Sequence, residues 1–181
     1  GLLGAGSVGS CVAAQLVAGH DDLAARAGAN LRLIAVAIND AKKARPELER
    51  AGVKITTDAH AVVNDPSIDV IIEVIGGIEP ARTLILDALN SGKSVVTANK
   101  ALLAQHGGEL FEAAAKNNVD LYFEAAVAGA IPIIRPLRDS LAGDHVLRVM
   151  GIVNGTTNFI LSKMSDDGIT FEAALKEAQS L

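Results

Sequence analysis

The chain has 181 residues, half of them hydrophobic and 20% charged, with 16 basic and 21 acidic side chains and a formal net charge of -5. That apolar content excludes a disordered chain. The lack of a basic block, with 3% aromatics and no Trp, excludes a nucleic-acid footprint or stacking platform. A single cysteine excludes an internal disulfide framework. The four histidines, His20, His60, His106 and His145, lack zinc-site spacing. No apolar run is long enough to span a bilayer, so the expected partner is a small-molecule substrate rather than nucleic acid or membrane. The length allows one full domain and part of another. The chain starts at Gly1 in what reads as a strand and stops at Leu181 in what reads as a helix. We therefore read it as a piece of a longer protein. No signal peptide is visible.

Short β-branched runs alternate with Ala/Leu-rich helical stretches. Residues 1–3 end a first strand, and Val8, Val12 and Leu16 mark one face of a helix. Residues 31–38 read as a second strand and 53–55 as a third. Residues 58–63 form a short helix capped by Thr57 or Asp58. Residues 68–75 are the strongest strand, with Asp69 and Glu73 its only charges. Pro80 suits the first turn of the next helix, which buries Leu84, Ile85, Ala88 and Leu89. Residues 94–97 are a strand. Residues 98–117 are mainly helical with a break at Gly107-Gly108, and 119–123 form another strand. Near-continuous apolar strands alternating with helices predict a doubly wound parallel α/β sheet, Rossmann-type, over residues 1–130. Residues 131–181 read as the start of a second α/β domain. Its helix over 131–141 is kinked or delayed by Pro136. Residues 146–153 are strand-like, 157–164 are helical with Gly168 as terminator, and Phe171, Ala174, Leu175 and Ala178 open a further helix.

Gly4-Ala5-Gly6-Ser7-Val8-Gly9 fits G-x-G-x-x-G between a strand and a helix, the context of a dinucleotide-binding turn. The first Gly permits the turn, the second lets backbone approach a pyrophosphate, and the third allows close helix–strand packing. The competing reading is a structural turn. At the end of the second strand, Asn39-Asp40 favours a ribose contact and NAD, whereas Lys42, Lys43 and Arg45 favour a 2′-phosphate and NADP. The choice stays open. Gly76-Gly77 follows the strongest strand, either as a ligand approach or as a plain turn. Lys100 could set an ammonium beside a nicotinamide and a carbonyl, or lie on the surface. Glu124, among irregular backbone, reads as a cap or as an oxygen ligand to a cation. Asn154-Gly155-Thr156-Thr157-Asn158 can hold a polar substrate, cap a helix through Thr156 or Thr157, or both. Cys11 reads as a small buried core residue.

Taken together, four stretches resemble homoserine dehydrogenase. They are Leu2-Leu3-Gly4-Ala5-Gly6-Ser7-Val8-Gly9, Val95-Val96-Thr97-Ala98-Asn99-Lys100-Ala101-Leu102, residues 124–132, and Gly151-Ile152-Val153-Asn154-Gly155-Thr156-Thr157-Asn158-Phe159-Ile160-Leu161. The likeness runs over essentially the whole chain. It is closer to the single-function enzymes than to the aspartate kinase fusions. The resemblance implies interconversion of L-homoserine and L-aspartate 4-semialdehyde with NADP or NAD, toward threonine, methionine and isoleucine. It implies that Gly4, Ala5, Gly6, Ser7, Val8 and Gly9, with Asn39, Gly76 and Lys100, bind cofactor. Lys100 would support catalysis between nicotinamide and substrate. Gly155, Thr156 and Thr157 would line the substrate pocket. Glu124, Val127, Gly129 and Ile131 would hold a sodium ion. It further implies a homodimer, a cytoplasmic enzyme, and a proton-donor lysine and acidic substrate contacts located after Leu181. On that reading this segment alone holds cofactor without turnover. The competing readings are another semialdehyde or hydroxy-acid dehydrogenase, and a non-catalytic dinucleotide-binding regulator.

Overall fold

Six of the apolar runs become strands: β1 (Leu2–Leu3), β2 (Ala35–Ala37), β3 (Lys54–Thr56), β4 (Val70–Glu73), β5 (Ser94–Thr97) and β6 (Leu121–Tyr122). The computed structural model that shows them describes residues 1–40, 46–152 and 154–180. All neighbouring strands pair in parallel, in the order β3-β2-β1-β4-β5-β6. Parallel strands need crossovers. Here these carry α1 (Ser7–Ala18), α2 (His20–Ala27), α3 (Pro46–Arg50), α4 (Ala59–Val63), α5 (Ala81–Asn90) and α6 (Lys100–Asn117). The doubly wound parallel sheet expected from the sequence is therefore present. Four strands are shorter than their apolar runs, β5 matches its run, and β3 is shifted by one residue.

Alternation along each strand sends side chains to opposite faces. Leu3, Ala35, Ala37, Ile71 and Val95 face one core, filled from α4, α5 and α6 by Val62, Val63, Leu84, Ile85, Leu89, Leu102 and Leu110. Leu2 and Val36 face a second core with Ala13 of α1 and Leu48 of α3. As expected, α5 buries Leu84, Ile85, Ala88 and Leu89. Asp58 rather than Thr57 caps α4, accepting from the Ala61 N–H at 3.0 Å.

Three expectations for this part of the chain are corrected. The face of α1 turned to the sheet is Gly9 and Ala13, with Val12 and Leu16 only half-buried and Val8 57% exposed. Close approach of the helix leaves room only for small side chains there. Cys11 is exposed, not core, because it lies two residues from Gly9, on the far side of a helix with 3.6 residues per turn. Helix α6 runs unbroken through Gly107-Gly108. Gly107 is buried with the Phe111 ring 3.5 Å from where its Cβ would lie. Arg82 of α5 reaches Glu109 at 2.8 Å from its Nε. Burial of Leu102, Leu110 and Ala114 in the core on either side of the pair outweighs a glycine penalty of about 1 kcal/mol each.

The chain divides into two compact units, Gly1–Ala126 and Val127–Leu181; the sequence put this boundary near residue 130. In the second unit the first helical segment starts only at Ile134, later than residue 131, and continues as a π-helical turn, Pro136–Ser140, closed by Leu141 N–H donating to the Pro136 carbonyl at 2.9 Å. Helices α7 (Gly155–Asp166) and α8 (Phe171–Ser180) pack through buried Ile160 and Ala174. Lys163 of α7 bridges Asp167 at 3.0 Å and Glu177 of α8 at 3.1 Å. These acceptors raise the Lys163 pKa above its usual value. Residues 146–152 form no strand, against expectation; residue 153 lies outside the described residues. A strand needs a neighbour for its N–H and C=O groups, and no described segment of this unit supplies one. Leu147 and Met150 are 86% and 80% exposed.

Gly108 is exposed in α6, and a Cβ there meets nothing within 4 Å. Gly108→Ala should therefore stabilise the fold by about 0.5–1 kcal/mol through helix propensity alone. Denaturant unfolding of the full-length protein checks this. A loss of stability would mean that this part of α6 is covered in the whole molecule.

Candidate functional site at the carboxyl edge of the sheet

The strand register sets one line of residues across the sheet. Leu3 is level with Ala37 on one side and Glu73 on the other, and Glu73 is level with Thr97. The segments that leave this line are the Gly4–Gly9 turn, Asn39, Gly76-Gly77 and Asn99-Lys100. All emerge at the same edge. Strand order reverses between β1 and β4, so this is the switch point where ligands bind in open α/β sheets.

At the turn, Gly4 has φ +98°, and a Cβ there would lie 3.0 Å from the Val74 carbonyl oxygen. A Cβ at Gly9 would lie 2.0 Å from the Gly4 carbonyl oxygen, which no side chain can do. At Gly6 the same atom would meet nothing within 4 Å. The first and third glycines are thus fixed by the protein, while the second opens onto free space. Gly6 is the N-cap of α1, with no side-chain cap and no acidic residue in the first turn. The positive end of the helix is left for an anion. The Ser10 hydroxyl donates to the Ala5 carbonyl at 3.1 Å. This donor-rich cradle without a Cβ fits a dinucleotide diphosphate.

Asn39 is exposed just past β2. Lys42, Lys43 and Arg45 lie outside the described residues. Lys100 is exposed as the first residue of α6, behind the Asn99 cap whose Oδ1 accepts from the Leu102 N–H at 3.2 Å. A cation there opposes the helix dipole, so α6 gains nothing from it. Its ammonium pairs with no carboxylate among the described residues.

The sequence reading missed Glu73 as a site residue. Its side chain is wholly buried at the end of β4. Oε1 accepts from the N–H groups of Ile75 at 2.7 Å and Gly76 at 3.1 Å. Oε2 accepts from the Thr97 hydroxyl at 2.6 Å. That hydroxyl oxygen accepts from the Asn99 N–H at 3.0 Å, and Asn99 Nδ2 donates to the Gly77 carbonyl at 2.7 Å. The available signal was a lone carboxylate on the core-facing side of the most apolar strand, three residues before two glycines.

In the second unit the Gly155 to Thr157 segment is the first turn of α7. Asn154, not Thr156 or Thr157, caps it, its Oδ1 accepting from the Thr157 N–H at 2.8 Å. Asn154 wins because it alone stands outside the first turn with extended backbone. Both threonines are exposed and neither serves as the cap. Glu124 opens a 3-10 turn, Glu124–Ala126, in the first unit. Val127, Gly129 and Ile131 belong to the second unit, where Ala128 and Gly129 both have positive φ.

The fold and the turn define a dinucleotide-binding domain of the Rossmann type. Residues 4–124 match the family model of the homoserine dehydrogenase NAD-binding domain, and residues 132–181 match that of homoserine dehydrogenase. The homoserine dehydrogenase of Corynebacterium glutamicum is 52% identical over 99% of this chain and 40% of its own length; that of Bacillus subtilis is 47% identical over 100% and 42%. The crystal structure of a homoserine dehydrogenase from Thiobacillus denitrificans superposes with a TM-score of 0.82 at 44% identity, over 99% of this chain and 41% of that one. A hyperthermophilic archaeal homoserine dehydrogenase mutant in complex with NADPH gives 0.72 at 29% identity, over 99% and 59%. The chain belongs to the homoserine dehydrogenase family. It spans about 40% of the length of the curated relatives it matches.

The glycine geometry separates fold from binding. In the full-length protein Gly9→Ala should cost more than about 2 kcal/mol of stability. Gly6→Ala should change stability by less than about 0.5 kcal/mol yet weaken dinucleotide affinity about tenfold or more. Thermal unfolding and dinucleotide titration measure the two, and equal behaviour of the two variants would contradict this division.

Proposed function

We propose that the full-length protein interconverts L-homoserine and L-aspartate 4-semialdehyde with a nicotinamide dinucleotide, on the route to threonine, methionine and isoleucine. The observation that carries this is the pairing, at one sheet edge, of an open phosphate turn with an exposed lysine. Family membership over both units supports the substrate. The dinucleotide supplies hydride transfer when bound. The first turn of α1 holds its diphosphate through N–H groups, with Asn39 and Gly76 alongside. Lys100, on the positive end of α6, stabilises negative charge on the substrate oxygen. Gly155, Thr156 and Thr157 contact the polar substrate, both threonines being exposed and not used for capping. NADP is the expected dinucleotide and NAD the second, a preference supported by the archaeal relative in complex with NADPH. Sodium is read from the resemblance. Its support is chemical: Glu124 with the carbonyls of Val127, Gly129 and Ile131 is an all-oxygen donor set of the kind hard cations take. A cytoplasmic homodimer completes the reading; the apolar exposure of Leu147 and Met150 supports the dimer, and the biosynthetic role of the family supports the location.

The test is homoserine-dependent formation of NADPH by the full-length protein, followed by absorbance and compared with NADH formation. Turnover with homoserine is expected, and none with other short hydroxy acids. Lys100→Ala should lower kcat about 100-fold or more while leaving the unfolding midpoint within experimental error. A variant with wild-type kcat and KM would remove Lys100 from the reaction.

A further inference from the structure

The buried carboxylate of Glu73 is not needed to build a parallel sheet. Burying it is costly unless every lone pair is engaged, and an apolar residue at the end of β4 would fill the same core position. Its hydrogen bonds show where it acts. It holds the N–H groups of Ile75 and Gly76, and through Thr97 and Asn99 it is tied to the Gly77 carbonyl. Gly76 and Gly77 have φ of +81° and +74°, and a Cβ at either would meet nothing within 4 Å. Two successive glycines in the left-handed region, open on the outer side, have a large conformational freedom to lose. The described bonds restrain them from below, from buried side chains. The phosphate turn also rests on this segment, since the Val74 N–H donates to the Leu3 carbonyl at 2.9 Å and a Cβ at Gly4 would lie 3.0 Å from the Val74 carbonyl oxygen. Asn99 in turn caps α6, the helix that carries Lys100.

We infer that Glu73 is a positioning residue: through Thr97 and Asn99 it locks the phosphate turn, the Gly76-Gly77 loop and the start of α6 into one preformed dinucleotide-binding surface. The inference rests on the reading of this edge as the dinucleotide site. Preorganisation of this kind raises affinity by removing the cost of ordering the loop on binding. A glutamine at position 73 is a weaker substitute for the carboxylate. Its oxygen can take the two N–H groups, but its NH₂ must then donate to the Thr97 oxygen, which already accepts from Asn99, and the Thr97 hydroxyl hydrogen loses its charged acceptor. Flipped, it turns donors toward donors. Thr97→Val breaks the same chain from the other side with little change in shape.

The experiment uses the full-length enzyme, with NADPH titrated by its fluorescence, kcat and KM from steady-state assays, and thermal unfolding to establish folding. Glu73→Gln and Thr97→Val are each expected to raise the Kd for NADPH about tenfold or more. The double variant should be no weaker than the worse single, because both break one chain. Thr97→Ser, which keeps the hydroxyl, should recover most of the affinity that Thr97→Val loses. If Glu73→Gln does not fold, Thr97→Val against Thr97→Ser carries the test. Wild-type Kd and kcat in folded variants, or a fall in the unfolding midpoint with Kd unchanged, overturns the inference. Wild-type protein that binds NADPH but does not oxidise homoserine refutes the proposed reaction, while the Kd comparison still decides the role of Glu73. Wild-type protein that binds no dinucleotide overturns both.

Discussion

The contact between α1 and the turn before it governs the ligand edge of this molecule. With room at Gly9 only for a hydrogen atom against the Gly4 carbonyl, the helix sits as close to β1 as backbone allows. That closeness limits α1 to Gly9 and Ala13 on its buried face. It also leaves Val8 outside and Cys11 in solvent. In return, the uncapped N-terminus of the helix opens beside Gly6, where nothing fills the space a ligand needs. Apolar burial by this helix is small, and its axis direction is what the site requires.

Electrostatics at this edge follow from the all-parallel topology. Each helix that returns the chain must start at the carboxyl ends of the strands, so α1 and α6 present their positive ends together. Lys100 adds a cation to the start of α6. Beneath them the one deeply buried carboxylate among the described residues, Glu73, is fully hydrogen-bonded to two peptide N–H groups and a hydroxyl. Positive groups are presented outward for anions and developing negative charge. The negative group is kept inside and used as an acceptor for backbone. The two tasks are separated by depth.

The second unit follows different physics. Its helices α7 and α8 share a small apolar contact through Ile160 and Ala174 and a surface ion cluster on Lys163. Exposed pairs of this kind contribute little individually. Residues 146–152 remain without strand pairing and with large apolar side chains exposed. Relatives more than twice as long as this chain carry further sequence beyond the matched region.

Much of the first unit was legible in the residues themselves. Apolar runs, period and turn residues are local properties, and they marked the six strands, the buried face of α5, and the glycine turn with its three distinct roles. The family resemblance was likewise carried by contiguous motifs, such as Thr97-Ala98-Asn99-Lys100. Errors arose where a neighbour decides. Gly107-Gly108 breaks a helix by propensity, yet burial of Leu102, Leu110 and Ala114 in the core carries α6 through it. Residues 146–152 have strand composition, but a strand exists only with a partner. Cys11 is apolar enough for a core and is turned away from it by the close docking of α1. Glu73 could be seen as a charge in an apolar strand. Its side-chain partner, however, is Thr97, more than twenty residues away, with Asn99 bonded behind it, and Thr97 meets it only because β4 and β5 pair in register. The sequence by itself determined the six strands and the helices α1, α4, α5 and α6 of the first unit, and which turn fits a phosphate, because those follow from side-chain period and backbone freedom. The tertiary structure alone decided which polar groups meet and which surfaces are closed, because burial and hydrogen bonding are properties of pairs.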